Sequence, residues 1–108
     1  MSWSDPFVRH MAARFKALGE PGRLRIVELL RTRGDQTVSQ LGDASGLSQA
    51  NLSRHLQILH AAGLVRRQRE GPFVRYGIAD QEIAQLCDIM CGRVEQELER
   101  DRQAVREV

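Results

Sequence analysis

A chain of 108 residues is long enough to form one domain with its own hydrophobic core, but it is too short for most multi-domain enzymes. An apolar fraction of 42%, with 28% charged residues and only three prolines, excludes a disordered or fibrous protein. The sequence has no apolar run near the roughly eighteen residues of a membrane span, and it begins without the basic and apolar regions of a signal peptide. We therefore expect one domain over residues 1–108, in the cytoplasm and without membrane contact.

The net charge of +2 is unevenly distributed along the chain. Residues 48–76 carry five basic side chains and one acidic, whereas residues 77–108 carry four basic and eight acidic. Fifteen of the sixteen basic residues are arginine, whose planar guanidinium pairs with phosphates and guanine edges. A GC-rich genome would also favour arginine over lysine, but it does not explain the clustering. The basic middle segment indicates a surface for a polyanion.

Two helices are predicted in the first third of the chain. The first begins at Asp5-Pro6, where a carboxylate can accept from free N–H groups and proline needs no N–H partner, and it ends before Gly19. The second begins at Pro21 and ends at Gly34. Apolar residues recur at helical spacing in both: Phe7, Met11, Phe15 and Leu18, then Leu24, Val27 and Leu30. The opposite side of the second helix carries Arg23, Arg25, Arg31 and Arg33.

A helix-turn-helix is predicted over residues 37–62. Thr37 can cap a short helix that ends at Gly46, and Ser48 can cap a further helix that ends at Gly63. The apolar positions of that further helix are Leu52, Leu56 and Leu59. Two helices joined by a short turn that contains glycine are typical of this motif.

A β-hairpin and a last helix are predicted after this motif. The hairpin covers residues 64–79, with two runs separated by Gly71-Pro72. The helical period then returns from Asp80, with one apolar stripe formed by Ile83, Leu86, Cys87, Met90, Val94 and Leu98. The predicted fold is therefore mainly α-helical with a small β-hairpin, in the order α-α-α-α-β-β-α.

The outer face of the fourth predicted helix is a candidate surface for reading DNA. Its side chains are small or can form hydrogen bonds, and no acidic residue lies between Ser48 and Ala62. Any soluble helix has a polar outer face, but here the helix start offers free N–H groups to a phosphate, and the hairpin adds four arginines, Arg66 among them. The candidate DNA-binding residues are Ser48, Gln49, Ala50, Asn51, Ser53, Arg54, His55, Gln57, Arg67, Arg69 and Arg75.

The three histidines do not form a recognisable metal or catalytic site. His55 lies between the buried and exposed faces of its helix, so it either donates to a phosphate or makes a contact between helices. His10 and His60 have no partner at metal-ligand spacing. The chain has no Gly-rich phosphate loop, nucleophile elbow, HExxH or CxxC motif, so the sequence predicts no enzymatic activity.

A resemblance to the ArsR/SmtB family of winged helix-turn-helix repressors is carried by two segments, FKALGEPGRLRIVELL and VSQLGDASGLSQANLSRHLQILHAAGLVRRQREGPFVRYGIA. It covers residues 15–80, and LSQANLSRHLQILHAAGLV is its specific part. The resemblance implies a homodimer formed by helices 5–18 and 80–100, which binds double-stranded DNA at an inverted-repeat operator and releases it when an effector binds or oxidises the dimer. It also implies that residues 69–75 form the wing and that the DNA-contacting helix presents Gln49, Ser53, Arg54 and His55.

The sequence departs from the family pattern in three places. Family members often carry a thiolate metal site on the third helix, but residues 38–43 contain no cysteine. Others pair acidic and histidine ligands on the last helix, but residues 80–99 contain no histidine. The wing tip reads Gly71-Pro72-Phe73, where the family often has an arginine.

The two cysteines, Cys87 and Cys91, are candidate effector-sensing residues. Both lie on the apolar stripe of the last helix, and two cysteines are too few for a disulfide framework. Three roles remain open: small buried apolar residues, redox or sulfur sensing, and binding of a soft metal or metalloid ion. A disulfide within one helix would be strained at this spacing, which favours chemistry across a two-fold axis.

The sequence leaves two alternatives to an effector-regulated repressor. One is a winged-helix module that binds other proteins and has lost specific DNA binding. The other is a DNA-binding repressor that responds to no effector.

Overall fold

A computed structural model describes residues 2–106; the ends of the expected domain, residues 1 and 107–108, lie outside this part. The elements in chain order are α1 (Asp5–Leu18), α2 (Pro21–Arg33), β1 (Gln36–Thr37), α3 (Val38–Ser45), α4 (Gln49–Ala61), β2 (Val65–Glu70), β3 (Phe73–Ile78) and α5 (Gln81–Arg106). The prediction of a mainly helical winged fold is confirmed. Within residues 2–106, no helix combines the length and the low charge that crossing a membrane requires.

The helix starts follow the capping chemistry of the sequence, with one correction. Ser4, rather than Asp5, caps α1, because its Oγ accepts from the Phe7 N–H at 3.3 Å. A capping box begins α3: Gln40 N–H donates to Thr37 Oγ1 at 3.2 Å, and Thr37 N–H donates to the Gln40 side chain at 2.9 Å. The predicted boundaries of α2 and α3 are confirmed.

The sheet has three strands, where the sequence predicted two. The order is β1-β3-β2, and all pairs are antiparallel. The added strand β1 pairs Gln36 with Tyr76 and Thr37 with Arg75. Two residues are too few to show the alternation that identifies a strand, so the sequence pattern missed it. At the hairpin tip Gly71 has a φ of 57°, which the tight primed turns between twisted strands require.

The hydrophobic core lies between α2, α3, α4 and the sheet. Its fully buried side chains are Ile26, Val27, Leu41, Leu52, Leu56 and Leu59. Leu24 shares the helical spacing of Val27 and Leu30 but lies outside this core, since the residue is 49% exposed. The buried side of α2 instead carries Ile26, Val27, Leu29 and Leu30, because α3, α4 and β3 cover that side of the helix.

The face formed by α1, α2 and α5 is apolar and uncovered in a single chain. The apolar stripe predicted for α5 is present, but Met90 is 60% exposed and Leu98 is 52% exposed. A groove of about 650 Å³ runs between the three helices and is lined by apolar residues that include Phe15, Leu24, Leu86 and Val94.

Candidate nucleic-acid interface

The outer face of α4 carries the polar side chains that the sequence singled out. Ser48 begins the helix as its N-cap, where its Oγ accepts from Asn51 N–H at 3.2 Å. The Arg54 guanidinium donates to Asn51 Oδ1 at 3.4 Å, so these two side chains form one hydrogen-bonding unit on the surface. All but one of the candidates on this helix are exposed to solvent: Ser48, Gln49, Ala50, Asn51, Ser53, Arg54 and Gln57.

His55 is the exception, and its assignment to the DNA surface is corrected. His55 is only 5% exposed, and its side chain is directed toward the start of α2. Its Nδ1 lies 3.3 Å from an Arg23 nitrogen, and its Nε2 lies 3.6 Å from Glu20 Oε2. Of the two roles left open by the sequence, the structure supports the contact between helices. A helical wheel does not decide whether a side chain on the border between two faces is buried, because the packing of the neighbouring helices decides it.

The arginines of the hairpin lie on two different faces. Side chains alternate across a strand, and residues paired in an antiparallel ladder share a face. Arg67 pairs with Tyr76, so Arg67 and Arg69 share the face that packs toward the core. Arg66 and Arg75 lie on the opposite face. The structure thus separates arginines that the sequence treats as one group.

The two faces also differ in how their charges are balanced. Arg66 donates to Asp35 Oδ1 at 2.8 Å, and Arg75 donates to Glu70 Oε2 at 2.7 Å. Within residues 2–106, the two arginines of the core-side face have no acidic partner at salt-bridge distance. Positive charge available to an anion is therefore concentrated on the face beside α4.

A cleft of about 500 Å³ separates α4 from that face of the wing. Its lining comprises Val38, Ser53, Gln57, His60, Arg67, Val74 and Tyr76. Sequence reasoning missed His60 as a part of this surface. The signal was present, because Ser53, Gln57 and His60 follow one another at helical spacing on the same side of α4.

The two cysteines lie away from this surface, on the groove between α1, α2 and α5. Cys87 is half-buried and Cys91 is exposed. Burial raises the pKa of the Cys87 thiol, against a smaller opposing effect of Arg31. The Cys91 thiol donates to Glu95 Oε1 at 3.5 Å, and this hydrogen bond raises the pKa of the thiol. Both groups therefore hold their protons at neutral pH.

The part of the chain that the structure describes contains no group of three or more His, Cys, Asp or Glu side chains that could hold a metal ion. Residues 2–106 of a single chain thus do not by themselves form a complete metal site. The ion pair between Arg31 and Asp88, at 2.8 Å, links α2 to the cysteine-bearing segment of α5.

Comparison with known proteins gives consistent matches. The family model for bacterial regulatory proteins of the arsR family matches residues 20–67, which run from the start of α2 into β2. The uncharacterised HTH-type transcriptional regulator Rv0081 of Mycobacterium tuberculosis is 40% identical over 83 residues, which are 77% of this chain and 73% of that protein. The crystal structure of Rv0081 superposes with a TM-score of 0.80 at 35% identity, covering 91% of this chain and 98% of that one.

Two further relatives extend the comparison. The solution structure of the homodimeric winged helix-turn-helix DNA-binding domain of Mb0332 from Mycobacterium bovis superposes with a TM-score of 0.82 at 31% identity, covering 92% of this chain and 94% of that chain. A probable mercury resistance operon repressor of Streptomyces lividans is 35% identical over 72 residues, which are 67% of this chain and 57% of that protein.

Proposed function

This chain belongs to the ArsR family of bacterial regulatory proteins, and from that premise we propose that it represses transcription by binding an inverted-repeat operator as a homodimer. The relatives are transcriptional regulators with a DNA-binding winged helix fold, so the chain is a regulator and not an enzyme.

The observation that carries the proposal is the exposed, acid-free face of α4 beside a wing whose adjacent face carries arginines with no acidic partner among residues 2–106. In this proposal α4 enters the major groove, where Arg54 can donate two hydrogen bonds to a guanine and Asn51 or Gln57 can pair with an adenine. Arg67 and Arg69 bind phosphates, which set the register of the protein on the duplex. Arg75 contributes less, because Glu70 already balances its charge.

The homodimer is proposed to form through helices 5–18 and 80–100. Support comes from apolar side chains that a single chain leaves exposed on both helices, such as Phe15 at 53% and Met90 at 60%. Near the start of α1, Trp3 and Phe7 pack ring against ring with centroids 5.2 Å apart, and both rings remain largely exposed. Contiguous apolar surface of this kind is typical of an interface, and a two-fold axis would bring the two copies of α5 together.

We propose that an effector that reacts with thiols causes release of the operator by acting at Cys87 and Cys91. Both thiols line the groove on the face assigned to the dimer, and the Arg31 guanidinium lies near them. An effector that favours the dimer geometry with low DNA affinity would weaken operator binding in proportion to that preference. A soft metal or metalloid ion at Cys87 and Cys91 would take ligands from both protomers, since residues 2–106 of one chain hold no group of three or more ligating side chains.

A repressor without an effector is the second candidate, and a specific observation favours it. The raised pKa values of both thiols keep them protonated at neutral pH, whereas sensing thiols are usually activated as thiolates. The Cys87→Ser, Cys91→Ser double variant decides between the two candidates. If the thiols sense an effector, the double variant still binds DNA but is not released by any oxidant, sulfane sulfur donor or metal that releases the parent protein.

The test of DNA binding is a fluorescence-anisotropy titration of the reduced protein against the intergenic DNA upstream of its own gene. We expect tight binding that weakens steeply with salt. Each neutralised phosphate adds about 0.9 to the slope of the logarithm of the binding constant against the logarithm of the salt concentration. Arg54→Ala should abolish operator selectivity but retain weak, salt-dependent binding. Absence of specific binding by the parent protein would favour a protein-interaction module, and intact selectivity of Arg54→Ala would refute the role assigned to α4.

A further inference from the structure

A partly buried polar network, centred on the buried His55, joins α1, α2 and α4 behind the face proposed to read DNA. Arg23, in the first turn of α2, donates from Nε to the carbonyl oxygen of Ala17 at 2.6 Å and from Nη2 to that of Lys16 at 3.4 Å. Both carbonyls belong to the last turn of α1, where C=O groups have no helical partner. The guanidinium of Arg23 therefore caps α1 from a neighbouring helix.

The same guanidinium reaches α4. Arg23 Nη1 lies 3.3 Å from His55 Nδ1, and because arginine only donates, Nδ1 is the acceptor and the ring proton resides on Nε2. Nε2 lies 3.6 Å from Glu20 Oε2, the carboxylate oxygen that also accepts from Arg23 N–H at 2.9 Å and so caps α2. The Arg23 N–H lowers the pKa of the Glu20 carboxyl, which is therefore ionised at neutral pH.

The network leaves little room for the ring of His55 to move. A methyl group at Gly22 would lie 2.8 Å from His55 Nε2 and 3.2 Å from its Cδ2, so the backbone of α2 packs directly against the ring. His55 is 5% exposed, and water does not readily replace partners that are lost at such a site. The ring is thus held from one side by hydrogen bonding and from the other by the backbone.

We propose that Arg23 and His55 are positioning residues for operator recognition, an inference that rests on the DNA-binding function proposed above. His55 is the neighbour of Arg54 in α4, and Arg23 ties it to the end of α1. Since α1 is part of the proposed dimer interface, the contact between Arg23 and His55 fixes the position of α4 relative to that interface. It thereby sets the separation of the two copies of α4, which are the proposed recognition helices of the dimer. Half-sites on DNA lie about one helical turn apart, so a shift of either helix changes which operator spacing fits.

The experiment uses the full-length protein and three duplexes. The first carries the operator defined by footprinting the upstream DNA, and the other two have its centre lengthened or shortened by one base pair. The variants are His55→Leu, Arg23→Leu, the combination of both, and His55→Asn, whose Oδ1 can take the place of Nδ1 as an acceptor. Ile26→Ala is the matched control, because it removes a buried side chain of α2 that forms no part of the network. All are compared at a temperature where circular dichroism shows each to be folded.

We expect each leucine variant to bind the native spacing about tenfold more weakly, the loss typical of a hydrogen bond to a charged group. The combined variant should be no weaker than Arg23→Leu alone, since Arg23→Leu already removes the contact with His55 as well as the bonds to the end of α1. The preference for the native spacing should decline in the leucine variants, remain in His55→Asn, and remain in Ile26→Ala.

Three results would overturn the inference: leucine variants that keep the affinity and spacing preference of the parent, losses that multiply in the combined variant, or an equal loss of spacing preference in Ile26→Ala. A parent protein that protects no site upstream would instead refute the proposed DNA-binding function itself. That result appears before any variant is compared, so the two failures are distinguishable.

Discussion

Replacing Gly22 by alanine tests whether the packing around His55 outweighs helix propensity. Alanine is favoured over glycine by about 1 kcal/mol in a helix interior, and Gly22 lies in the first turn of α2, so the substitution would ordinarily stabilise α2 by at most this amount. Here the new methyl group would lie 2.8 Å from His55 Nε2 and 3.1 Å from Glu20 Oε2. The first distance is too short for a carbon–nitrogen contact and the second is tight, so the histidine ring or the helix must move.

The free-energy cost of moving the ring or the helix exceeds the gain in helix propensity. Forcing an extra methyl group into a packed site typically costs about 1–3 kcal/mol, and displacing the ring also lengthens its 3.3 Å contact with Arg23, worth about 1.5–3 kcal/mol if lost entirely. After subtracting the helix gain, we expect Gly22→Ala to lower the free energy of unfolding by about 1–2 kcal/mol. For a domain of this size, that lowers Tm by roughly 5–15 °C.

Gly92→Ala is the matched control, because a Cβ added at Gly92 in α5 meets nothing within 4 Å. This variant should raise Tm by roughly 4–8 °C through helix propensity alone. Both are measured by circular dichroism at one protein concentration, since dimerisation makes Tm depend on concentration. An equal rise in Tm for both variants would refute the argument that the ring of His55 is confined by the backbone of α2.

Three further predictions follow from the helix cap, the wing and the thiols. Thr37→Ala removes one half of the capping box and should cost about 1 kcal/mol in urea denaturation; an unchanged midpoint would contradict its capping role. Arg67→Ala should weaken DNA binding and reduce by about 0.9 the slope of the logarithm of the binding constant against the logarithm of the salt concentration. Arg66→Ala should leave this slope nearly unchanged, because the charge of Arg66 is already paired with Asp35. Equal slopes for the two variants in anisotropy titrations would refute the division of the wing into two faces. The pKa values of Cys87 and Cys91 are raised, so a smaller fraction of each thiol is thiolate at neutral pH. Alkylation by iodoacetamide should therefore be slow at pH 7, and its rate should still rise with pH beyond the ordinary thiol pKa of about 8.5, with the half-buried Cys87 reacting more slowly than the exposed Cys91. Rapid labelling at pH 7, measured by mass spectrometry, would contradict this.

The features that the sequence predicted correctly depend on local chemistry. The start of α3 follows from Thr37 and Gln40, which form their capping box within four residues of chain. The buried side of α4 follows from the spacing of Leu52, Leu56 and Leu59, because the period of a helix puts these side chains on one face whatever lies against it.

The features that the sequence missed depend on contacts between distant segments. Strand β1 forms only because Gln36 meets Tyr76 across the sheet, and two residues carry no periodic signal. Leu24 has the spacing of a core residue, but α3, α4 and β3 cover a different side of its helix. Arg66 and Arg67 are neighbours in β2 and lie on opposite faces in any register. Only the pairing with β3 places Arg75 on the face of Arg66, and only the packing of the sheet decides which face lies beside α4.

The sequence by itself determined the order of the helices, the capping of α3 and α4, the winged helix-turn-helix and the polar, acid-free face of α4, because these arise from residue type and short-range periodicity. Only the tertiary structure decided the position of His55. Its helical angle lies between two faces, and the residues that bury it, Arg23 and Glu20, are more than thirty positions earlier in the chain. A border residue becomes buried or exposed according to the helix packed against it, and that packing is a property of the assembled fold.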